Sequence, residues 1–244
     1  MPGFFYNLGR MVGPKLRKAN WVYRSLAGTQ AESIQAEHAV GRDLARAFAQ
    51  QLESEPEPAV GELLEQLGTR LAACLRQKEW RFRFVPVRGP EVNAFALPGG
   101  FIFVTRPLLD LCRWDHDEIA FILGHEMGHV VSRHAIDRIM TNSFLSGVLS
   151  RLPVGGGLVR PHVAAVLNTL LQQGYSREQE LEADKVGVQL VRSAGFDVNA
   201  AARLLARLGG DTGAGAALFG YFASHPPVAE RIRQVERLAS EWGE

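Results

Sequence analysis

Ile122-Leu-Gly-His125-Glu126-Met-Gly-His129-Val-Val-Ser132 is the stretch from which the rest of the chain is read. It holds His-Glu-x-x-His inside an otherwise apolar run. On an α-helix, residues four apart share a face, so His125 and His129 project together. Two imidazoles at that spacing can take two corners of a tetrahedral Zn²⁺ site, and Glu126 beside them can reach a water on the metal. Asp115 or Asp117 can N-cap this helix, and Asp115 with Glu118 has capping-box spacing. Ile119, Phe121, Ile122 and Leu123 give it the apolar surface of a core helix. The bland alternative is a pair of hydrogen-bonded core histidines. Chance puts the pattern into a chain of this size on the order of once in a hundred. Three buried polar side chains would each need a partner, so a third ligand elsewhere decides the matter.

The 244 residues are enough for one sizeable domain with a real core, with or without a helical extension. A hydrophobic content of 46% with 22% charged residues reads as a soluble globular protein. The net charge of +1 gives no case for nucleic acid. Cys74 and Cys112 lack C-x-x-C spacing, which excludes a cysteine-based metal site and favours two buried thiols. No run of eighteen apolar residues exists, so no transmembrane helix is expected. The first ten residues lack the basic-then-apolar order of a secretory signal.

Residues 1–31 contain no acid but carry Arg10, Lys15, Arg17, Lys18 and Arg24, interleaved with Phe4, Phe5, Leu8, Met11, Val12 and Leu16. The pattern fits an amphipathic segment on an anionic membrane surface, a targeting segment, or a helix packed on the domain. The expected division is therefore a basic segment over 1–31 and a single domain over 32–244. The expected compartment is the cytoplasm, with peripheral membrane contact through residues 1–31. Oligomeric state is open.

Glu32 to Leu52 and Val60 to Arg76 read as helices, separated by the breaker Ser54-Glu-Pro-Glu-Pro58. Trp80 to Val87 then alternates apolar and charged residues, as a half-buried strand does. Asn93-Ala-Phe-Ala-Leu97 and Phe101-Ile-Phe-Val-Thr105 flank Pro98-Gly-Gly100, which is a hairpin signal. Pro107 to Cys112 is a short helix. His134, five positions after His129, falls off the ligand face and reads as structural or surface. Residues 141–153 and 158–173 read as two apolar helices joined by a glycine-rich, mobile loop. That loop is no phosphate loop, since it lacks both the downstream Lys-Ser/Thr and a preceding strand.

Ser176-Arg-Glu-Gln-Glu180-Leu-Glu-Ala-Asp184 supplies the missing group. Ser176 with Gln179 starts a helix, and Glu180 and Asp184 lie on one face of it. Glu180 can be the third zinc ligand. Asp184 can accept a hydrogen bond from the far nitrogen of a ligand histidine, fixing its tautomer. Glu178 and Glu182 read as a solvated acidic face.

Taken together, His125-Glu-Met-Gly-His129 followed by Glu180-Leu-Glu-Ala-Asp184 resembles the gluzincin pattern of the HtpX/Oma-type metallopeptidase family, which includes the CaaX prenyl-protein endopeptidases. Asn93-Ala-Phe-Ala-Leu-Pro-Gly-Gly100 resembles that family's active-site edge strand. Ser176-Arg177 resembles its lead-in to the third ligand, and Ser224-His225-Pro-Pro-Val-Ala-Glu-Arg231 its C-terminal His-Pro…Arg element. The resemblance implies an α+β, zincin-like fold, mostly helical, with a small antiparallel sheet beside the active-site helix. It implies one Zn²⁺ per chain on His125, His129 and Glu180, with Glu126 as general base and protein or peptide as substrate. Asn93, Ala94, Phe95 and Ala96 would hold that substrate extended by main-chain pairing, favouring unfolded chains. His225 can approach the metal and gate activity, while His225, Arg231 and Tyr175 are candidates for transition-state support. The rival expectations are a gated or inactive zinc-stabilised scaffold, and a membrane-surface module built around the basic N-terminus.

Overall fold

The computed structural model describes residues 29–49, 53–141, 174–209, 225 and 228–241. The expected helices over 141–153 and 158–173 with their glycine-rich loop, the basic segment through residue 28, and Ser224, Pro226 and Pro227 lie outside the described residues.

Helix α1 (Gln30–Ala49) begins at a reciprocal cap: Glu32 N–H donates to Thr29 Oγ1, and Thr29 N–H donates to Glu32 Oε2. Its buried face carries Ile34, Leu44 and Phe48. Strand β1 is only Glu53–Ser54, ending on the first residue of the stretch read as a breaker. Helix α2 (Pro58–Ala73) has proline in its first turn, where the missing N–H costs nothing, and buries Val60, Leu64, Leu67 and Leu71.

Strands β2 (Arg83–Arg88), β3 (Ala94–Leu97) and β4 (Phe101–Thr105) complete a four-stranded sheet of order β1-β2-β4-β3. The expected hairpin is present: β3 and β4 pair antiparallel, with Phe95 opposite Phe103. Its Pro98-Gly-Gly turn runs through left-handed backbone at Gly99 (φ 75°) and Gly100 (φ 96°). The α+β fold class stands, but the sheet is mixed rather than antiparallel. Strand β4 inserts between β2 and β3, so β2 and β4 run parallel, with Arg83 opposite Phe101. β3 is thereby left at the sheet edge. Helix α1 covers the hairpin turn closely: a Cβ on Gly41 would meet the Pro98 carbonyl oxygen at 1.7 Å. His38 Nδ1 lies 2.8 Å from the Gly99 oxygen.

Helix α3 (Arg106–Leu111) leads through left-handed Arg113 and Trp114 into α4 (His116–Val131). The Asp115 carboxylate accepts from the Asp117 and Glu118 N–H groups, so Asp115 is the cap. Glu118 does not close the box; its carboxylate takes two hydrogen bonds from Arg207. Every residue from Glu118 to Val130 is buried, which makes α4 the central helix. Left-handed Arg133 (φ 60°) ends it, and α5 (His134–Thr141) starts at once.

Helix α6 (Arg177–Ser193) opens on the expected Ser176–Gln179 capping box and packs along α4. Glycines make the two backbones touch. A Cβ on Gly128 would sit 2.8 Å from the Ala183 carbonyl oxygen, and one on Gly124 would sit 3.1 Å from that of Gly187. Helices α7 (Asn199–Gly209) and α8 (Val228–Glu241) close the far side, with α8 against α6. Among the described residues, no helix is long and apolar enough to cross a membrane.

Candidate active site

Helix α4 presents His125, Glu126 and His129, and α6 presents Glu180 and Asp184; all five are buried. The Gly124/Gly128 to Ala183/Gly187 contact brings these two helix faces within reach. His125 and His129 point their Nε2 atoms at one another, 3.1 Å apart. Glu180 Oε1 lies 3.3 Å from His129 Nε2. His225 joins from the C-terminal side, its Nδ1 2.9 Å from Glu180 Oε1 and its Nε2 3.5 Å from Glu126 Oε1. One ligand atom from each of His125, His129, Glu180 and His225 can be chosen so that all four lie within 4.8 Å of one another.

The donor set fits a metal ion. A carboxylate only accepts, so His125 Nδ1 donates to Asp184 Oδ1 at 2.8 Å. That leaves the His125 Nε2 lone pair facing the other donor atoms, where a cation can take it. Glu126 Oε2 is buried and has no hydrogen-bond partner among the described residues. Three imidazoles and a carboxylate suit zinc and its neighbours rather than calcium or magnesium.

Electrostatics distinguish the two carboxylates. Burial pushes the Glu126 carboxyl up, only partly offset by His225 and His125. Burial acts on Glu180 in the same sense, but His225 and Arg231 outweigh it and hold that group well below the usual carboxylate range. Burial also opposes ionisation of Asp184, yet the Arg231 guanidinium holds it at about 2. Burial lowers His129 far below the ordinary histidine value, so it is neutral near pH 7.

Arg231 sits behind the donors. Its Nε and Nη2 donate to the two Asp184 oxygens at 2.8 Å each, and Nη1 lies 2.8 Å from Glu180 Oε2. Tyr175 stacks face to face on His129, centroids 3.8 Å apart, and Arg138 covers the Tyr175 ring at 3.7 Å. Asn93 is tied to Thr105 through main chain and hydroxyl, at the head of the edge strand β3, which packs on α4. Sequence reasoning missed one contact entirely. His134 is buried, and its Nδ1 is 2.8 Å from His129 Nδ1. Glu182 is exposed as expected, yet it faces His134 Nε2 at 3.4 Å and accepts from Ser132 Oγ at 3.0 Å.

Residues 58–239 match the family described as Peptidase family M48. The chain belongs to that family. The M48 assignment bears out the HtpX/Oma-type resemblance read from the motifs. The chain is 32% identical over 172 residues to the mitochondrial metalloendopeptidase OMA1 of Schizosaccharomyces pombe, covering 70% of this chain and 51% of that protein. It is 38% identical over 154 residues to the Arabidopsis thaliana protein of the same name, covering 60% and 29%. It is 28% identical over 165 residues to the beta-barrel assembly-enhancing protease of Escherichia coli (strain K12), covering 62% and 33%. This M48 chain thus spans about half or less of the length of these curated relatives.

Proposed function

We propose that the chain is a zinc-dependent endopeptidase acting on extended or unfolded protein segments. One observation carries the reading: His125, His129, Glu180 and His225 converge with Glu126 beside them. Family membership and relatives named as metalloendopeptidases support it. In this reading His125, His129 and Glu180 hold the metal, and Asp184 orients His125. When bound, zinc would polarise a peptide carbonyl and make a water more acidic. Glu126 takes a proton from the water as the water oxygen bonds to the peptide carbonyl carbon, and delivers that proton to the amine nitrogen as the C–N bond breaks. Its carboxylate lies beside the donors, with Oε1 3.5 Å from His225 Nε2. The edge strand β3 supports capture of substrate backbone, with Asn93, Ala94, Phe95 and Ala96 as the pairing segment. The same reading assigns residues 1–31 to contact with an anionic membrane surface.

A second reading is favoured by the position of His225, whose imidazole sits among the donors and against Glu126. In it, His225 is a resting gate, and the protein is quiescent, or a scaffold, until the imidazole leaves. The test is zinc content and casein proteolysis for wild type and Glu126→Gln, with a chelator control. Zinc in both and cleavage by wild type alone supports the endopeptidase. Zinc in both without cleavage, restored by His225→Ala, supports the gate. Absence of zinc from both overturns the proposal.

A further inference from the structure

His125 has Asp184 to fix its tautomer, whereas His129 has no carboxylate of its own among its described Nδ1 contacts. What it has is His134. We infer that Glu182, His134 and His129 form a second hydrogen-bonded relay, in which His134 is the positioning residue that directs the His129 lone pair into the metal site. The inference rests on the metal-centre reading above and names the device that sets its second histidine.

The direction of the relay follows from what each group can do. The Glu182 carboxylate only accepts, so the His134 proton belongs on Nε2, which faces Glu182 Oε2 at 3.4 Å. A neutral imidazole with its proton there has a bare Nδ1. The contact of 2.8 Å between His134 Nδ1 and His129 Nδ1 is then a donation from His129. His129 is left with a bare Nε2, and that atom lies 3.1 Å from His125 Nε2 and 3.3 Å from Glu180 Oε1. Both α4 histidines therefore present the same nitrogen, one through a direct carboxylate and one through an interposed imidazole.

The backbone is shaped for this contact. On a continuing helix, a residue five positions after His129 would point elsewhere. The left-handed Arg133 stops α4 and restarts the chain as α5, which returns His134 to the His129 edge. Ser132 Oγ donates to the other Glu182 oxygen at 3.0 Å, holding the exposed carboxylate over His134. Tyr175 lies flat on the His129 face, centroids 3.8 Å apart, and packs that ring from the side. A histidine partnered only for packing would need none of these alignments.

The test uses the full chain and Zn²⁺ competed against a chelating dye, with circular dichroism and thermal unfolding of the metal-free protein as controls. His134→Leu keeps the volume and removes the acceptor. Its Zn²⁺ affinity is expected to fall by about 10–100-fold, the usual cost of losing such a partner. His134→Asn returns an acceptor near the Nδ1 position and is expected to recover most of the loss. Co²⁺ bound in place of Zn²⁺ should show altered visible bands in the Leu variant and near-native bands in the Asn variant. A folded His134→Leu protein with wild-type affinity and spectrum overturns the inference, as does an Asn variant no better than Leu. If the Leu variant does not fold, Glu182→Ala decides, since that side chain is 59% exposed. Several-fold weaker Zn²⁺ binding supports the relay, and unchanged binding overturns it. Failure of the wild type itself to bind Zn²⁺ would instead strike the metal-centre reading.

Discussion

Arg231 holds Asp184 in a fork, Nε to Oδ2 and Nη2 to Oδ1, each at 2.8 Å, with both side chains almost fully buried. The third nitrogen of the same guanidinium reaches Glu180. One cation on α8 therefore braces two carboxylates on α6, the expected ligand and the group hydrogen-bonded to His125. Removing it leaves two buried carboxylates facing only histidine partners among the described contacts.

Arg231→Met is expected to destabilise the metal-free protein by about 3–5 kcal/mol, as breaking a buried ion pair from one side does. Arg231→Lys keeps the charge but not the planar fork and should fall in between. Thermal unfolding with and without Zn²⁺ measures both. Stability unchanged in the Met variant would show that the fork carries no structural role.

Gly128→Ala tests the helix contact. The new methyl would lie 2.8 Å from the Ala183 carbonyl oxygen and 2.9 Å from its Cα, both backbone atoms that cannot swing aside. A cost of about 1–3 kcal/mol is expected from overpacking. Zn²⁺ affinity should drop with it, because α4 and α6 carry different members of the donor set. A substitution at Gly89, where a Cβ meets nothing within 4 Å, is the control and should leave both quantities unchanged.

Glu37 offers a pH test on a group outside the donor set. Its side chain is 1% exposed and 2.9 Å from Arg133, and burial, only partly opposed by that cation, raises it from 4.5 to about 7. A carboxyl raised in the fold favours the folded state while it keeps its proton. Its stabilising contribution is full below about pH 4.5 and is lost as pH rises to about 7. Wild type should therefore lose stability across that window relative to Glu37→Gln, by roughly 3 kcal/mol at about 1.4 kcal/mol for each tenfold change in proton affinity. Denaturant titrations of both proteins at pH 4.5, 6 and 8 check it. A constant difference between them would refute the assignment.

The proposed membrane contact predicts binding of the full chain to vesicles containing phosphatidylserine but not to neutral ones. Replacing Arg10, Lys15, Arg17, Lys18 and Arg24 by glutamine removes roughly 1 kcal/mol per charge near the surface. Co-sedimentation should then show binding weakened by orders of magnitude. Equal binding by both proteins would remove the N-terminal segment from the account.

The parts of the site legible in the sequence are those where chemistry rides on helical period. His125 and His129, and then Glu180 and Asp184, lie four apart on capped helices, and a capped helix places such pairs without tertiary information. His134 was illegible for the converse reason. Its approach to His129 depends on the left-handed Arg133, a non-glycine residue whose sequence carries no turn signal. The Phe95–Phe103 hairpin was legible from Pro98-Gly-Gly100, but the parallel pairing of β2 with β4 was not, since strand order is decided by what packs beneath the sheet. Gly124, Gly128 and Gly187 stood in plain view as small residues at helical spacing. Their meaning as contact points appears only when residues more than fifty positions apart, on two helices, are laid together.

The contact between Gly128 and Ala183 also imposes an order of events on the growing chain. As the protein emerges during synthesis, α4 appears with two histidines and a glutamate and nothing to complete them. Glu180 arrives with α6, and His225 and Arg231 arrive later still. In the proposed reading, the metal donors and the base come together once α6 docks on α4, and His225 and the Arg231 brace are added to a centre already assembled.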